Sequence, residues 1–229
     1  MKKTYHGQHL IKLTHLGVFN CYFVREEDGL TLIDAGLPGS ADKIITAAQE
    51  EGQPIKRLAI THAHGDHTGS LEALCAKLPN IEIAWGTRTA SFLCGDKSLF
   101  PDEPQAKLRG SFTTVSVQAT RLIQPDDMMV GSLKAIPAPG HTPDQMSFFD
   151  TRDGTLIAGD AFQTQGGIAV AGTIRPLFPL PGFATWHKPT ALATAQKLYN
   201  LQPTRLAVGH GKVLEEPAVP LAQAIANAS

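Results

Sequence analysis

Short apolar runs rich in Val, Ile and Leu alternate along the chain with stretches of helical spacing, a pattern that predicts a mixed α/β architecture. Residues 19–24 read as a strand, and so do residues 30–33 after the turn Glu27-Asp28-Gly29. Pro38-Gly39-Ser40 stops that strand and places Ser40 to cap a helix over 41–51. A strand over 55–61 is followed by helical spacing over 68–78, where Leu71, Leu74, Cys75 and Leu78 share a face, and by a strand over 81–85. Residues 86–112 mix aromatic and charged positions with Pro101 and Pro104, and read as an excursion with one or two short helices. Strands resume at 113–117, 133–137, 146–149 and 155–158. The span 161–186, punctuated by Gly and Pro, reads as a long loop. A helix over 189–200, a strand over 205–208 and a terminal helix over 217–228 complete the pattern.

One stretch has an echo. Residues 28–34 (Asp-Gly-Leu-Thr-Leu-Ile-Asp) resemble residues 153–160 (Asp-Gly-Thr-Leu-Ile-Ala-Gly-Asp), as two related halves would. No linker interrupts the pattern, so residues 1–229 are expected to form a single domain. At 42% hydrophobic and 18% charged the composition is that of an ordinary globular protein. The net charge of −1, with no basic run beyond Lys2-Lys3, gives no electrostatic footprint for nucleic acid. Residues 4–9 are polar where a secretory signal needs an apolar run, and no apolar stretch reaches membrane-spanning length. Cys21, Cys75 and Cys94 are too few and too scattered for a disulfide framework or a zinc knuckle, and read as buried small hydrophobes. A cytoplasmic, reduced setting follows as the expectation.

The chemistry concentrates in residues 62–67, His-Ala-His-Gly-Asp-His. On an extended segment His62 and His64 project from one face, and Gly65 lets the chain turn and aim Asp66 and His67 at a neighbouring point. Imidazole and carboxylate suit zinc and other borderline divalent ions. Four ligands this close do not close comfortably on one ion, which suggests two metal positions sharing one loop. Three further candidates each follow a strand beside a small residue: His141 after Gly140, Asp160 after Gly159, and His210 between Gly209 and Gly211. In an α/β fold the C-terminal strand ends lie along one edge, where sites assemble.

This set, His-x-His-x-Asp-His followed by lone His, Asp and His, resembles the metallo-β-lactamase superfamily, and the likeness extends from Asn20-Cys21-Tyr22 and residues 32–36 (Leu-Ile-Asp-Ala-Gly) to Gly209-His210-Gly211. The resemblance implies an α/β fold, a four-layer αβ/βα sandwich of two facing mixed sheets with helices outside. It implies that His62, His64 and His141 hold one divalent ion, that Asp66, His67 and His210 hold a second, and that Asp160 bridges them. Zinc is the first expectation, with Mn, Fe or Co accepted by the same ligands. Asp34 matches an acidic position that orients a ligand in the family; a strand-end carboxylate closing a turn is the other reading. Such a pair of ions lowers the pKa of a shared water from ~16 toward neutrality, so no serine or cysteine need attack. Asp66 is the candidate catalytic group, accepting and returning the proton.

The resemblance thus implies a dinuclear hydrolase of an ester-like bond in a small, partly apolar substrate: a lactone, a thioester or a carboxylic ester. Metallo-β-lactamases proper lack the bridging aspartate, so Asp160 argues against that activity. Glyoxalase II-type thioesterases share the ligands but add a C-terminal helical region, whereas 19 residues follow His210 here. The best-known acyl-homoserine lactonases carry a tyrosine near the bridging aspartate, and no tyrosine stands close after Asp160. Flavodiiron proteins and the tRNA-processing members differ in ligand pattern or need a basic arm. A single-iron persulfide dioxygenase is the rival reading, followed by a phosphodiesterase and a metal-stabilised binding module. In the span 161–186 the apolar side chains Phe162, Ile168, Val170, Ile174, Leu177, Phe178, Leu180, Phe183 and Trp186, with Arg175 as the only charge, either line the pocket or pack the loop or an oligomer contact. Phe92, Phe100 and Phe112 are candidates for the other wall, and His187 reads as a helix-start residue. The oligomeric state is open, a homodimer included.

Overall fold

The computed structural model describes residues 1–129 and 131–229, which fall into two compact units. The first comprises Met1–Asp96 and Phe112–Ile123, the second Lys97–Ser111 and Gln124–Ser229. No helix among the described residues is long and apolar enough to cross a membrane.

The first unit opens with four antiparallel strands, β1 (Lys2–His6), β2 (Leu10–His15), β3 (Phe19–Glu26) and β4 (Gly29–Ile33). Helix α1 (Ala41–Glu50) carries the chain to β5 (Ile55–Ala59), which pairs parallel to β4. Helices α2 (Gly65–Thr68) and α3 (Leu71–Lys77) lead to β6 (Glu82–Gly86), and α4 (Thr87–Leu93) precedes β7 (Arg121–Ile123). The sheet runs from β1 to β7 in sequence order, its last four strands parallel. Parallel neighbours need crossovers rather than tight turns, which gathers their C-terminal loops at one edge. Helix α1 buries Ala41, Ile44, Ala47 and Ala48 as one stripe. Strand β1 escapes the apolar-run pattern because it is an edge strand that stays partly exposed. Its polar side chains bind α1 instead: Lys3 Nζ lies 2.7 Å from Glu50 and 2.8 Å from Glu51, and the Tyr5 hydroxyl donates to Glu51 at 2.9 Å.

The second unit holds β8 (Leu133–Pro137), β9 (Met146–Asp150) and β10 (Thr155–Ile157), then the two-stranded ribbon β11 (Phe162–Gln163) and β12 (Ala169–Val170). Helices α5 (Leu180–Phe183) and α6 (Lys188–Tyr199) precede β13 (Arg205–Ala207), β14 (Leu214–Glu215) and α7 (Ala218–Ala226). The five-stranded sheet has the order β14-β13-β10-β9-β8, and only β10 and β13 pair parallel. Ala191, Thr194, Ala195 and Leu198 form the buried stripe of α6, three of them packing with Leu156, Phe162, Leu206 and Leu221 in one apolar cluster. Each such aliphatic side chain contributes roughly 1.5–3 kcal/mol by leaving water. The echo between residues 28–34 and 153–160 has a topological counterpart. Both stretches form the second strand of a hairpin, and each strand lies parallel to the strand that follows the next long helix: β4, α1, β5 and β10, α6, β13.

Four expectations need correction. Ser40 sits at the start of α1 but makes no side-chain cap; its hydroxyl accepts from His15 Nδ1 at 3.1 Å. The helix expected over 68–78 begins only at Leu71, as α3; Thr68 ends the separate α2, and the two are broken where Gly69 packs so tightly on Pro38 that a Cβ would come within 2.3 Å. Ser70 fastens the break, donating to Leu37 O at 2.6 Å and accepting from Ser40 N at 2.8 Å. Residues 113–117 are not a strand, because their hydrogen bonds go elsewhere: Thr113 N to Ala63 O, Val115 N to Leu93 O, and Ser116 to Glu72. Pairing resumes at β7. Finally, the long loop 161–186 contains β11, β12 and α5.

Gly140 marks a close approach beside a candidate ligand. Its φ is +138°, and a Cβ there would lie 2.3 Å from Ala191 Cα and 2.4 Å from Ala191 N, both backbone atoms of α6. Gly140→Ala is expected to lower the unfolding free energy by about 3 kcal/mol. Urea denaturation measures the loss.

Candidate functional site

In the first unit the site grows from Asp34, the residue after β4. Its φ of +66° is uncommon outside glycine and returns its carboxylate toward the chain beyond β5. Backbone bonds fix this conformation: Asp34 N donates to Ala59 O at 2.8 Å and Ala35 N to His67 O at 2.6 Å. The buried carboxylate accepts from Thr61 N at 2.8 Å, from the Thr61 hydroxyl at 2.9 and 3.0 Å, and from His67 Nδ1 at 2.7 Å. The one hydroxyl proton of Thr61 is therefore committed to Asp34, and its oxygen accepts from His62 Nδ1 at 3.0 Å. With both Nδ1 atoms protonated, His62 and His67 present the lone pairs of Nε2. Asp34 thus both occupies the turn and orients His67.

The other residues of the hexapeptide lie beside these rings. The His62 ring is 4.1 Å from that of His67 and 4.9 Å from that of His64, between ring centroids. His67 Nε2 lies 3.7 Å from Asp66 Oδ2. His64 packs edge-on against Phe112 at 4.7 Å and bridges to it through the backbone. All three histidines are buried, whereas the Asp66 side chain keeps 25% of its surface exposed.

The second unit arranges its own candidate ligands by the same proton logic. His141, Asp160 and His210, all buried, follow β8, β10 and β13. The Thr185 hydroxyl donates to Pro181 O at 2.8 Å, so its oxygen accepts from His141 Nδ1 at 3.1 Å and leaves Nε2 with its lone pair. Trp186 N–H donates to His141 O at 2.8 Å, and His187 N–H donates to Gly140 O at 2.9 Å. Asp160 Oδ2 then stands 3.0 Å from His210 Nε2 and 3.5 Å from His141 Nε2. His210 is pinned from behind, its carbonyl accepting from Thr164 N at 2.9 Å. Buried Nε2 lone pairs beside carboxylate oxygens are the donor set of a borderline divalent cation, and the residues fit such an ion.

Several other expectations can be placed. His187 starts α6, where its ring accepts from Thr190 N at 3.4 Å. Cys21 is buried, and burial pushes its thiol well above the ordinary range. Cys75 is half-buried and pushed up to about 11, by burial first and by Glu72 second. Cys94 is exposed, so the expectation of three buried cysteines fails there, at the end of α4. Of the candidate wall residues, Phe92 is buried against Phe112, while Phe100 is exposed. Thr61 and Thr185 do not stand out in the sequence. Thr61 had a local signal, directly preceding His62; Thr185 stands 44 residues from the ring it holds and had none.

Residues 17–210 match the family model described as the metallo-beta-lactamase superfamily. The chain belongs to that superfamily. The uncharacterized protein YobT of Bacillus subtilis (strain 168) is 49% identical over 91% of this chain and 90% of its own length. The probable metallo-hydrolase YflN of the same organism is 31% identical over 85% of this chain and 81% of its own length. The solved structure of the DIM-1 metallo-beta-lactamase, 18% identical, matches 99% of this chain and 96% of its own with a TM-score of 0.72. At that identity the likeness shows the fold, and the mixed α/β architecture of the superfamily is what the sequence pattern predicts.

The Thr185 contact can be tested alone. In Thr185→Val the proton of His141 is expected to move from Nδ1 to Nε2, seen as a changed imidazole pattern in long-range nitrogen–proton NMR spectra. Stability should fall by about 1 kcal/mol. Thr185→Ser should leave the proton on Nδ1.

Proposed function

We propose that the chain is a metal-dependent hydrolase that holds two divalent ions and cleaves an ester-like bond: a lactone, a thioester or a carboxylic ester. In this reading His62, His64 and His141 hold one ion, Asp66, His67 and His210 the other, and Asp160 bridges them. Zinc is the first choice, with Mn, Fe or Co acceptable to the same donors. The observation that carries the reading is the shared proton arrangement of His62, His67 and His141. Each buried ring has Nδ1 engaged by a hydroxyl or carboxylate, which readies Nε2 for a cation. Membership of the superfamily and the name of its relative YflN support hydrolysis without choosing the substrate.

When bound, such ions activate water near neutral pH and polarise the substrate carbonyl. The chain's own groups do the rest. Asp34 and Thr61 hold His62 and His67, and Thr185 holds His141, so the donors need not reorganise during the reaction. The oxygen of water bonds to the carbonyl carbon and the C–O or C–S bond breaks. Asp66, whose side chain is 25% exposed, takes the water's proton and passes it to the leaving oxygen or sulfur. Raised thiols at Cys21 and Cys75 offer no competing nucleophile. The substrate is a small molecule met in the reduced cytoplasm, in keeping with three free cysteines.

The direct test is acid release from a panel of lactones, thioesters and esters, followed by pH-stat with zinc-loaded protein. Release that a chelator abolishes is expected; no release from any of them with metal bound would sink the ester-hydrolase reading. A single bound iron would instead favour the dioxygenase. Asp160→Ala should lose most activity while its circular dichroism stays that of a folded protein. Asp34→Asn, whose amide cannot accept all the bonds that reach the carboxylate, should weaken metal affinity about 10- to 100-fold in chelator competition.

A further inference from the structure

A cavity of about 310 Å³ opens in the second unit beside β12, walled by residues 170–174, by the start of α6 and by the end of α7. Its volume is at the lower end of the range that holds small ligands. Part of the wall is apolar, with Val170 drawn from the apolar cluster of the unit and Leu192 packed against that cluster. The polar part carries Lys188, Thr173 and Asn227. Among the described residues Lys188 enters no ion pair, and the side chains of Thr173 and Asn227 make no hydrogen bond within the chain. Among the same residues no acidic side chain lines the cavity, and none of the seven candidate metal ligands does.

Gly172 sets the course of the lysine. Its φ is +89°, and a Cβ there would lie 2.7 Å from Lys188 Cγ and 3.3 Å from Lys188 Cδ. The aliphatic stem of Lys188 therefore runs along the wall, against backbone that only glycine leaves bare. One cation beside two neutral hydrogen-bonding groups and an apolar wall matches a singly charged anion with a compact apolar body. The carboxylate supplies the charge and accepts hydrogen bonds, and the body takes water off Val170 and Leu192. Inorganic phosphate carries more charge and would leave those side chains wet.

We propose that this cavity is a second ligand site, separate from the candidate metal ligands, which takes a small monocarboxylate with an apolar ring. The carboxylate pairs with Lys188 and accepts from Thr173 or Asn227, and the ring covers Val170 and Leu192. The probe is benzoate, titrated into zinc-loaded protein by calorimetry and followed at the backbone amides by NMR. Binding is expected with a Kd on the order of 1 mM or tighter, with shifts centred on residues 171–174 and 227–228. Lys188→Met keeps the stem on Gly172 and removes the charge, and should weaken binding about tenfold or more. Benzamide, neutral and of the same shape, should bind the unaltered protein weaker by a similar factor. Benzoate shifts centred on residues 62–67 that survive in Lys188→Met would place the carboxylate on the metal ions and overturn the proposal. Equal affinity for benzoate and benzamide would also overturn it, as would phosphate binding at residues 171–174 as tightly as benzoate, or no benzoate binding at all.

Discussion

The carboxylate of Asp34 fixes the proton positions on which the first set of ligands depends. It receives a backbone N–H, a hydroxyl and an imidazole N–H at 2.7 to 3.0 Å, all in a buried setting. Both carboxylate oxygens are acceptors, so each of these donors spends its proton on Asp34. Thr61 has a single hydroxyl proton, so the constraint passes one residue further, to His62. One acid thereby sets the tautomers of two histidines. The left-handed backbone at Asp34, a strain of order 1–3 kcal/mol, is held by the pairing of β4 with β5 and by the carbonyls of Ala59 and His67.

The second unit reaches the same outcome by other means. Thr185 replaces the carboxylate with a hydroxyl whose own proton is anchored on the Pro181 carbonyl. The orienting group comes from the chain before α6 rather than from the strand end, so the similarity of residues 28–34 and 153–160 does not extend to it. In the second unit the matching acid, Asp160, instead has Oδ2 close to two imidazole nitrogens. Two like strand-ends therefore carry two different tasks, one holding rings in place and the other facing them. The difference lies in the backbone: Asp34 is itself left-handed, whereas Asp160 follows Gly159 at φ +54°, which takes the turn one residue earlier.

Legibility in sequence followed how local each signal was. Six adjacent residues named four of the seven candidate ligands, and glycines beside His141, Asp160 and His210 marked the other three at strand ends. The longer buried strands and α1, α6 and α7 were legible from apolar runs and helical stripes. The short ribbon β11–β12 was not, since two-residue strands carry no periodicity. Residues 113–117 had strand-like composition, yet their hydrogen-bonding groups were claimed by Ala63, Leu93 and Glu72, a competition no local pattern reveals. Asp34 was legible as an acid at a strand end, but its choice between turn and ligand orientation depended on where Thr61 and His67 came to lie.

Residues 161–186 divide their work by burial. Thr185 and Trp186 are both buried, and they hold His141 from two sides: the Thr185 hydroxyl meets Nδ1 of the ring, and Trp186 N–H donates to the backbone carbonyl. Phe162 and Val170 join the apolar cluster of the unit instead. Phe178 is partly buried, its ring against His210 and its backbone N–H on Arg175 O. A ring held by Nδ1 tolerates little movement, and the group that holds it must itself be bonded, as the Thr185 hydroxyl is to Pro181 O. A change at Thr185 or Phe178 therefore acts on the position of a candidate ligand, whereas a change at Phe162 or Val170 acts first on the packing of the unit.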